Sequence, residues 1–327
     1  MPGRTKRVFA RIKRNAVVAR IGYFGRKIKA SKAQRTLVRE ATALLAFMRE
    51  ASCTFHRCSS LIANPVPMGV AYRYDVHVRD IPGSYAFAEF HRKQDVPATF
   101  FLFWDYSPVE RRHFDDYRKL RALLSEPLEM ALHDSPVDAF LIKAEFGGNR
   151  REYLNWTDSG DALEWLSAMT AEPQKLAAFN QAALADFIAR VHQTRLHFGP
   201  FSLVGGHGGE LGQSLRKKLK SLEPAVVKTA RSLQARFWLT PERVAAAGLD
   251  HCVDRNDYTP QRWREVSDDG TKIANMAAAL RERLLVKQNA VQLLLHPYTW
   301  SGGQRDAELS DLLNSSATVA APGRAAI

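Results

Sequence analysis

Asp75 and His77 stand two residues apart in the apolar run YRYDVHVRD, residues 72–80. Side chains alternate faces along a strand, so an extended chain here points both the same way. A carboxylate and an imidazole buried together cost free energy unless they are satisfied locally or aimed at a ligand. Three further histidines fall where strand-like runs give out: His133 closing PLEMALH, His207 in GPFSLVGGHGGE, and His296 near the end of AVQLLLHP. A divalent metal such as zinc takes imidazole and carboxylate ligands, and a catalytic site leaves one position open for water. His77, His133 and His207 can supply the nitrogens, Asp75 can accept a proton from water, and His296 can protonate a leaving amine or alkoxide. The chemistry that results is metal-assisted hydrolysis of an acyl bond.

Each of these residues also has an ordinary structural reading. Asp75 can cap a turn or pair with Arg73 or Arg79, and His77 can be a satisfied core imidazole. His133, followed by Asp-Ser-Pro, can cap the next segment. The glycines around His207 let the backbone approach a ligand closely or simply make a flexible loop. They lack the Lys that completes a phosphate-cradling loop.

The elements that must position these residues follow from periodicity. Apolar spacings of three and four predict helices over 37–56, 82–94, 108–126, 173–196, 241–249 and 272–288. Apolar runs bounded by Pro and Gly predict strands over 69–78, 97–104, 127–133, 235–240, 250–255 and 290–297. Helices alternating with strands dense in apolar residues indicate a largely parallel sheet with helices on its outer face. The economical closure is an α/β barrel, in which chemistry gathers where strands end and loops begin.

The chain of 327 residues carries a formal charge of +13, which looks like a nucleic-acid footprint until it is located. Residues 1–39 hold thirteen Lys or Arg and no Asp or Glu; taking these from the chain's 47 leaves 34 basic residues, equal to its 34 acidic ones. The basicity therefore belongs to an N-terminal arm, residues 1–40, and nucleic acid is a disfavoured partner. Arg14, Arg20 and Arg26 interrupt its apolar residues, so the arm reads neither as a membrane span nor as a signal peptide. Val8, Phe9, Ile12, Val17, Val18 and Ile21 among the cations suit an amphipathic element on an anionic lipid surface. The expected location is cytoplasmic, peripheral to the inner membrane. Cys53, Cys58 and Cys252 lack framework spacing, which suits a reducing compartment, and Cys53 and Cys58 read as half-buried thiols on a helix. A helical lead-in over 41–66, a barrel domain over 67–312 and a disordered tail over 313–327 complete the expected organisation.

The order of these pieces resembles the polysaccharide deacetylase superfamily, the NodB-like carbohydrate esterases, and within it the branch whose first strand reads Arg-His-Asp-Val-Asp. YRYDVHVRDIPGSYAFAEFHRKQDVPATFFLFW is similar to that family's opening strand, helix and second strand. LEMALHD resembles its second motif, GGHGG its later His-Gly segment and VQLLLHPYTW its final motif. The resemblance, spanning about 69–300, implies a distorted (β/α)7-type barrel, a divalent metal, zinc by expectation, and removal of acetyl groups from an N-acetylated sugar or surface-glycan precursor. It implies Asp75 as base, His133 as metal ligand, His296 as general acid, and Asp254 as a supporting acidic position. His77 stands where the branch has an aspartate ligand, and Tyr74, a second supporting position, where it has a histidine. The segment after His133 lacks the family's second histidine, offering only Asp134 and Asp138. A catalytically silent member that binds or assembles glycans at the membrane surface is the alternative reading.

Overall fold

The structure, a computed structural model, describes residues 41–104 except 43, then 113–208, 211, 222–254, 263–267, 280, 282–283 and 289–297. The basic arm, the tail, and most of the helix expected over 272–288 lie outside the described residues.

The described strands are β1 (Thr54–His56), β2 (Gly69–Val76), β3 (Ala98–Phe103), β4 (Leu128–Asp134), β5 (Leu203–Gly206), β6 (His251–Cys252), β7 (Trp263–Ser267) and β8 (Ala290–Leu295). They form one parallel sheet in the order β6-β5-β4-β3-β2-β8-β7, with β1 added alongside the start of β2. The sheet curls into a half-barrel. The helices are α1 (Cys58–Ala63), α2 (Ile81–Gln94), α3 (Phe114–Leu123), α4 (Pro136–Ala144), α5 (Arg150–Asp158), α6 (Asp161–Ala171), α7 (Pro173–Phe198), α8 (Pro224–Ser232), α9 (Ala235–Trp238) and α10 (Pro241–Ala246). None of the described helices is long and apolar enough to cross a membrane.

Both faces of the central strands β2, β3 and β4 are buried, which is why they read as near-continuous apolar runs. One face packs on the helices: Tyr72, Tyr74 and Val76 of β2, Phe100 and Leu102 of β3, and Met130 and Leu132 of β4 join the main core with Phe87 of α2 and Phe187 of α7. The other face is the inside of the curl, where Ala71, Phe101, Ala131, Leu203, Val253 and Ala290 close a smaller cluster with Cys58, Leu61 and Ile62 of α1. Arg73, Asp75 and His133 share the inner face by the two-residue alternation, above that apolar plug. Because every strand runs the same way, every carboxyl end opens at one rim.

Helix α2 shows how local sequence serves this rim. Pro82 starts it, and Asp95, in the left-handed conformation at φ 51°, ends it. Its first turn passes so close to the exit of β8 that a Cβ on Gly83 would lie 2.8 Å from Pro297 Cβ. That glycine lets the helix pack against the segment carrying His296.

Three sequence expectations need correction. The lead-in helix reaches Glu50 and then turns at Ser52, φ 60°, so Thr54–His56 is strand. The run 235–240 is not a strand: Ala235–Trp238 is a short helix that buries Trp238, whose indole N–H donates to Asn180 Oδ1 at 2.9 Å. Cys53 lies off the helix, between the turn at Ser52 and β1, whereas Cys58 starts α1 as expected and Cys252 lies in β6; all three are buried. Burial pushes Cys53 up to about 11 and Cys58 to about 12, so both are unreactive thiols.

Candidate metal centre

Six strands and their exits deliver the rim. His77 follows β2, Phe103 ends β3, His133 lies in β4, His207 follows β5, Asp254 follows β6 and His296 follows β8. The structure brings His77, His133 and His207 together. Their ring centroids are 5.3, 5.1 and 5.1 Å apart, and one nitrogen from each lies within 4.8 Å of the other two. Among the described residues this is the one cluster of metal-ligating groups with such convergence. His133 is buried on the floor, whereas His77 and His207 are half-buried toward the opening. The Phe103 ring packs on both of those, at 4.9 Å to each.

A backbone carbonyl fixes the His133 ring, and hydrogen bonds from their own N–H groups fix the backbone of His77 and His207. The Nδ1 of His133 lies 3.2 Å from the Gly205 carbonyl, which can only accept, so Nδ1 carries the proton and Nε2 presents a lone pair to the cluster. Asp80, fully buried, accepts the His77 backbone N–H at 3.0 Å and anchors the turn after β2. The His207 N–H donates to the Asp134 carbonyl at 2.7 Å, tying the glycine loop to the end of β4.

Asp75 lies beside the cluster, its Oδ2 3.4 Å from His133 Nε2. Arg73 grips this carboxylate from the same strand, Nε to Oδ1 at 2.7 Å and Nη2 to Oδ2 at 3.1 Å. Its remaining reach goes to Asp254, Nη1 to Oδ1 at 2.5 Å, while its guanidinium lies 4.6 Å from the Phe101 ring centroid. Burial alone would raise the Asp75 carboxyl, but the charge of Arg73, the nearness of His133 and the Arg73 hydrogen bonds outweigh it and hold the group well below the usual carboxylate range. Burial pushes the His133 imidazole down to about 3, and burial with the charges of His133 and His207 pushes His77 down to about 2. At neutral pH the site therefore presents an ionised Asp75 carboxylate and neutral imidazoles at His77 and His133. Three imidazole nitrogens converging beside an ionised carboxylate are the donors a divalent cation takes, with the carboxylate next to them free to accept a proton. The donor set fits a divalent metal.

His296, half-buried, lies near enough to Asp75 and His77 for its charge to act on both. Asp254 is present as well, but as the partner of Arg73. Tyr74 is not at the site and is corrected here: it lies on the opposite face of β2, its hydroxyl 2.8 Å from His91 Nε2 and its ring packed on Phe87 and Phe100. Asp134 and Asp138 are also turned away. Asp134 pairs with Arg190, and Asp138 accepts the Ser135 and Tyr153 hydroxyls and the Leu211 N–H. The third imidazole of the cluster is that of His207, which follows the neighbouring strand β5.

Gly205 is the residue that spacing alone did not single out, whereas Arg73 is the structural partner that the sequence offered for Asp75. A Cβ on Gly205 would lie 2.8 Å from both Arg73 Nη2 and Phe101 Cδ1, and Arg73 is pinned by its two carboxylates. Gly205→Ala is therefore expected to destabilise the fold by about 1–3 kcal/mol, read from urea unfolding midpoints. An unchanged midpoint would show that Arg73 can move.

The buried imidazoles also set a pH dependence. His91, bonded to Tyr74 and fully buried, is held down to about 3 by burial, against an ordinary 6.5. With His77 and His133 it stays neutral in the native state while the unfolded chain takes up protons, so stability falls as pH drops below 6.5 and goes on falling toward 3. Metal-free protein is expected to lose about 2 kcal/mol per such imidazole between pH 7.5 and 5. Asp75 acts only in the window below 3.8 and does not enter this range. Equal urea midpoints at the two pH values would contradict the burial of these rings.

No family model matches the chain, and neither does any curated protein or solved structure with which it was compared. The fold and the site define the chain as an α/β half-barrel with three converging histidines that could hold a metal ion.

Proposed function

We propose that the protein is a metal-dependent hydrolase that removes an acetyl group from an N-acetylated sugar or surface-glycan precursor. The single observation that carries this reading is the convergence of His77, His133 and His207 beside the ionised Asp75 at the open rim of the half-barrel. The sequence resemblance to the NodB-like deacetylases supports the choice of amide and sugar, and the half-barrel is compatible with their distorted (β/α)7-type barrel.

The three imidazoles would hold the ion, with zinc the expected metal. When bound, a divalent cation there supplies Lewis acidity, polarising the amide carbonyl and lowering the pKa of water. Three neutral ligands leave its charge uncompensated, which strengthens that effect relative to a set containing an aspartate. Asp75, ionised at neutral pH, accepts the proton of the attacking water, and Arg73 holds the plane of its carboxylate toward the site. His296, at the exit of the neighbouring strand β8, donates a proton to the leaving nitrogen. The C–N bond breaks, giving acetate and a free amine on the sugar. The cationic arm, residues 1–39, makes an anionic membrane surface the place of action in this reading.

Acetate release from N-acetylglucosamine oligomers and from nucleotide-linked N-acetyl sugars, measured on zinc-loaded and chelated protein, tests the proposal. Release that appears with the metal and stops with its removal is the expected result. Bound metal without release from any N-acetylated sugar would count against hydrolysis and favour a silent, glycan-binding barrel.

A further inference from the structure

Asp254 has two oxygens and uses both. Oδ1 takes Arg73 Nη1 at 2.5 Å, and Oδ2 accepts the backbone N–H of Gly206. Gly206 is the last residue of β5 and precedes His207. On its other side the strand exit presses against α9, where a Cβ on Gly206 would lie 3.2 Å from the Arg236 nitrogen. Two backbone bonds therefore suspend His207, one from Gly206 to Asp254 and one from His207 itself to the Asp134 carbonyl.

The first suspension is continuous with the proton acceptor. From the Gly206 N–H the path runs through the Asp254 carboxylate, the Arg73 guanidinium and the Asp75 carboxylate, across β5, the exit of β6 and β2, and each link is charge-assisted. Arg73 is 1% exposed and is committed to both carboxylates, so neither can shift without the other. The side chain of Asp254 is 16% exposed and reaches the site through these two partners.

We propose that Asp254 is a positioning residue that sets the third ligand, His207, in register with Asp75, by clamping the Gly206 N–H to the guanidinium that orients that carboxylate. The inference rests on the metal-centre reading above. It assigns Asp254 to the placement of a ligand, through backbone, with no contact to substrate or metal.

An amide cannot perform both tasks. In Asp254→Asn one of the two positions becomes an NH2 group, set against either the Arg73 N–H or the Gly206 N–H, donor against donor. Cobalt(II), added to the chelated full-length protein, is the probe, because its visible absorption reports coordination number and ligand geometry directly. Asp254→Asn is expected to bind cobalt about 10–100-fold more weakly than the unmodified protein and with an altered visible band. In a His207→Ala background the same substitution is expected to change cobalt affinity less than about twofold, since the ligand it places is gone. Where Asp254→Asn does not fold, Asp254→Glu keeps the charge on Arg73 but displaces the acceptor from Gly206 by one methylene, and it too is expected to alter the band.

Folded Asp254→Asn with unchanged cobalt affinity and spectrum would overturn the proposal while leaving the metal centre standing. A full effect of Asp254→Asn in the absence of His207 would overturn it as well. Failure of the unmodified protein to bind cobalt at all would remove both the metal centre and this role for Asp254.

Discussion

Asp75→Asn is expected to lower metal-dependent acetate release about 10²–10⁴-fold while the protein keeps its metal. The separation of the two effects follows from geometry. The cluster that can hold the ion is built from three imidazoles, and Asp75 stands beside it, 3.4 Å from His133 Nε2. An asparagine is the same size and its carbonyl can still accept from Arg73 Nε, at the loss of the bond from Arg73 Nη2. What it cannot do is take up a proton from water. The loss is expected in kcat, with KM little changed, because the amide leaves the shape of the site intact. Coincident loss of metal and activity would place Asp75 among the ligands and remove it from the role of base.

Arg73→Met is expected to give the largest loss of stability of any single change at the rim. Removing the cation leaves Asp75, 3% exposed, and Asp254 with no charge partner for the oxygens Arg73 now holds. Breaking a buried pair in this way costs about 3–5 kcal/mol. The Asp75 carboxyl, now subject to burial with less to oppose it, moves upward and binds a proton more readily. The complementary prediction is that Arg73→Met with Asp75→Leu restores much of the stability and none of the activity, because an apolar pair of similar volume needs no compensation. Urea unfolding of the single and double variants decides between the two. A double variant no more stable than Arg73→Met would mean that Arg73 contributes through its stacking on Phe101 and its bond to Asp254, and that its pair with Asp75 is incidental.

Much of this site was legible in the chain because parallel strands buried on both faces leave unbroken apolar runs. A charged or imidazole side chain inside such a run, as at Asp75 and His133, or just past it, as at His77, His207 and His296, stands out. The same two-residue period that pairs Asp75 with His77 also predicts that Tyr74 faces away; the motif match suggested otherwise, and the period was the better guide. Arg73 was harder to place. Its pairing with Asp75 is local, but Asp254 is 181 residues distant and no pattern in the chain connects them. The place of His207 after a strand-like run marks it as the third imidazole, but the register Asp134↔Gly206 that sets it beside His133 exists only once the strands pair.

The elements that went unread have physical reasons too. Helices α4, α5 and α6 are short and follow one another without intervening strands, breaking the alternation that located the rest of the sheet. The run Ala235–Thr240 is aromatic-rich and short, the composition of a buried strand. Packing decides it as a helix, with Trp238 inserted against α7 through Asn180 and Phe187. The early helix was overextended because apolar residues continue past Ser52, where the backbone turns to a positive φ and the chain enters β1.

The central claim is that one divalent ion is held by His77, His133 and His207. Zinc K-edge X-ray absorption on protein loaded with one equivalent of zinc measures this directly. The account predicts a first shell dominated by nitrogen at about 2.0–2.1 Å, with outer-shell scattering from three imidazole rings that falls to two in His207→Ala. Zinc that fails to bind at one equivalent, or that binds with an imidazole count unchanged in His207→Ala, would contradict it.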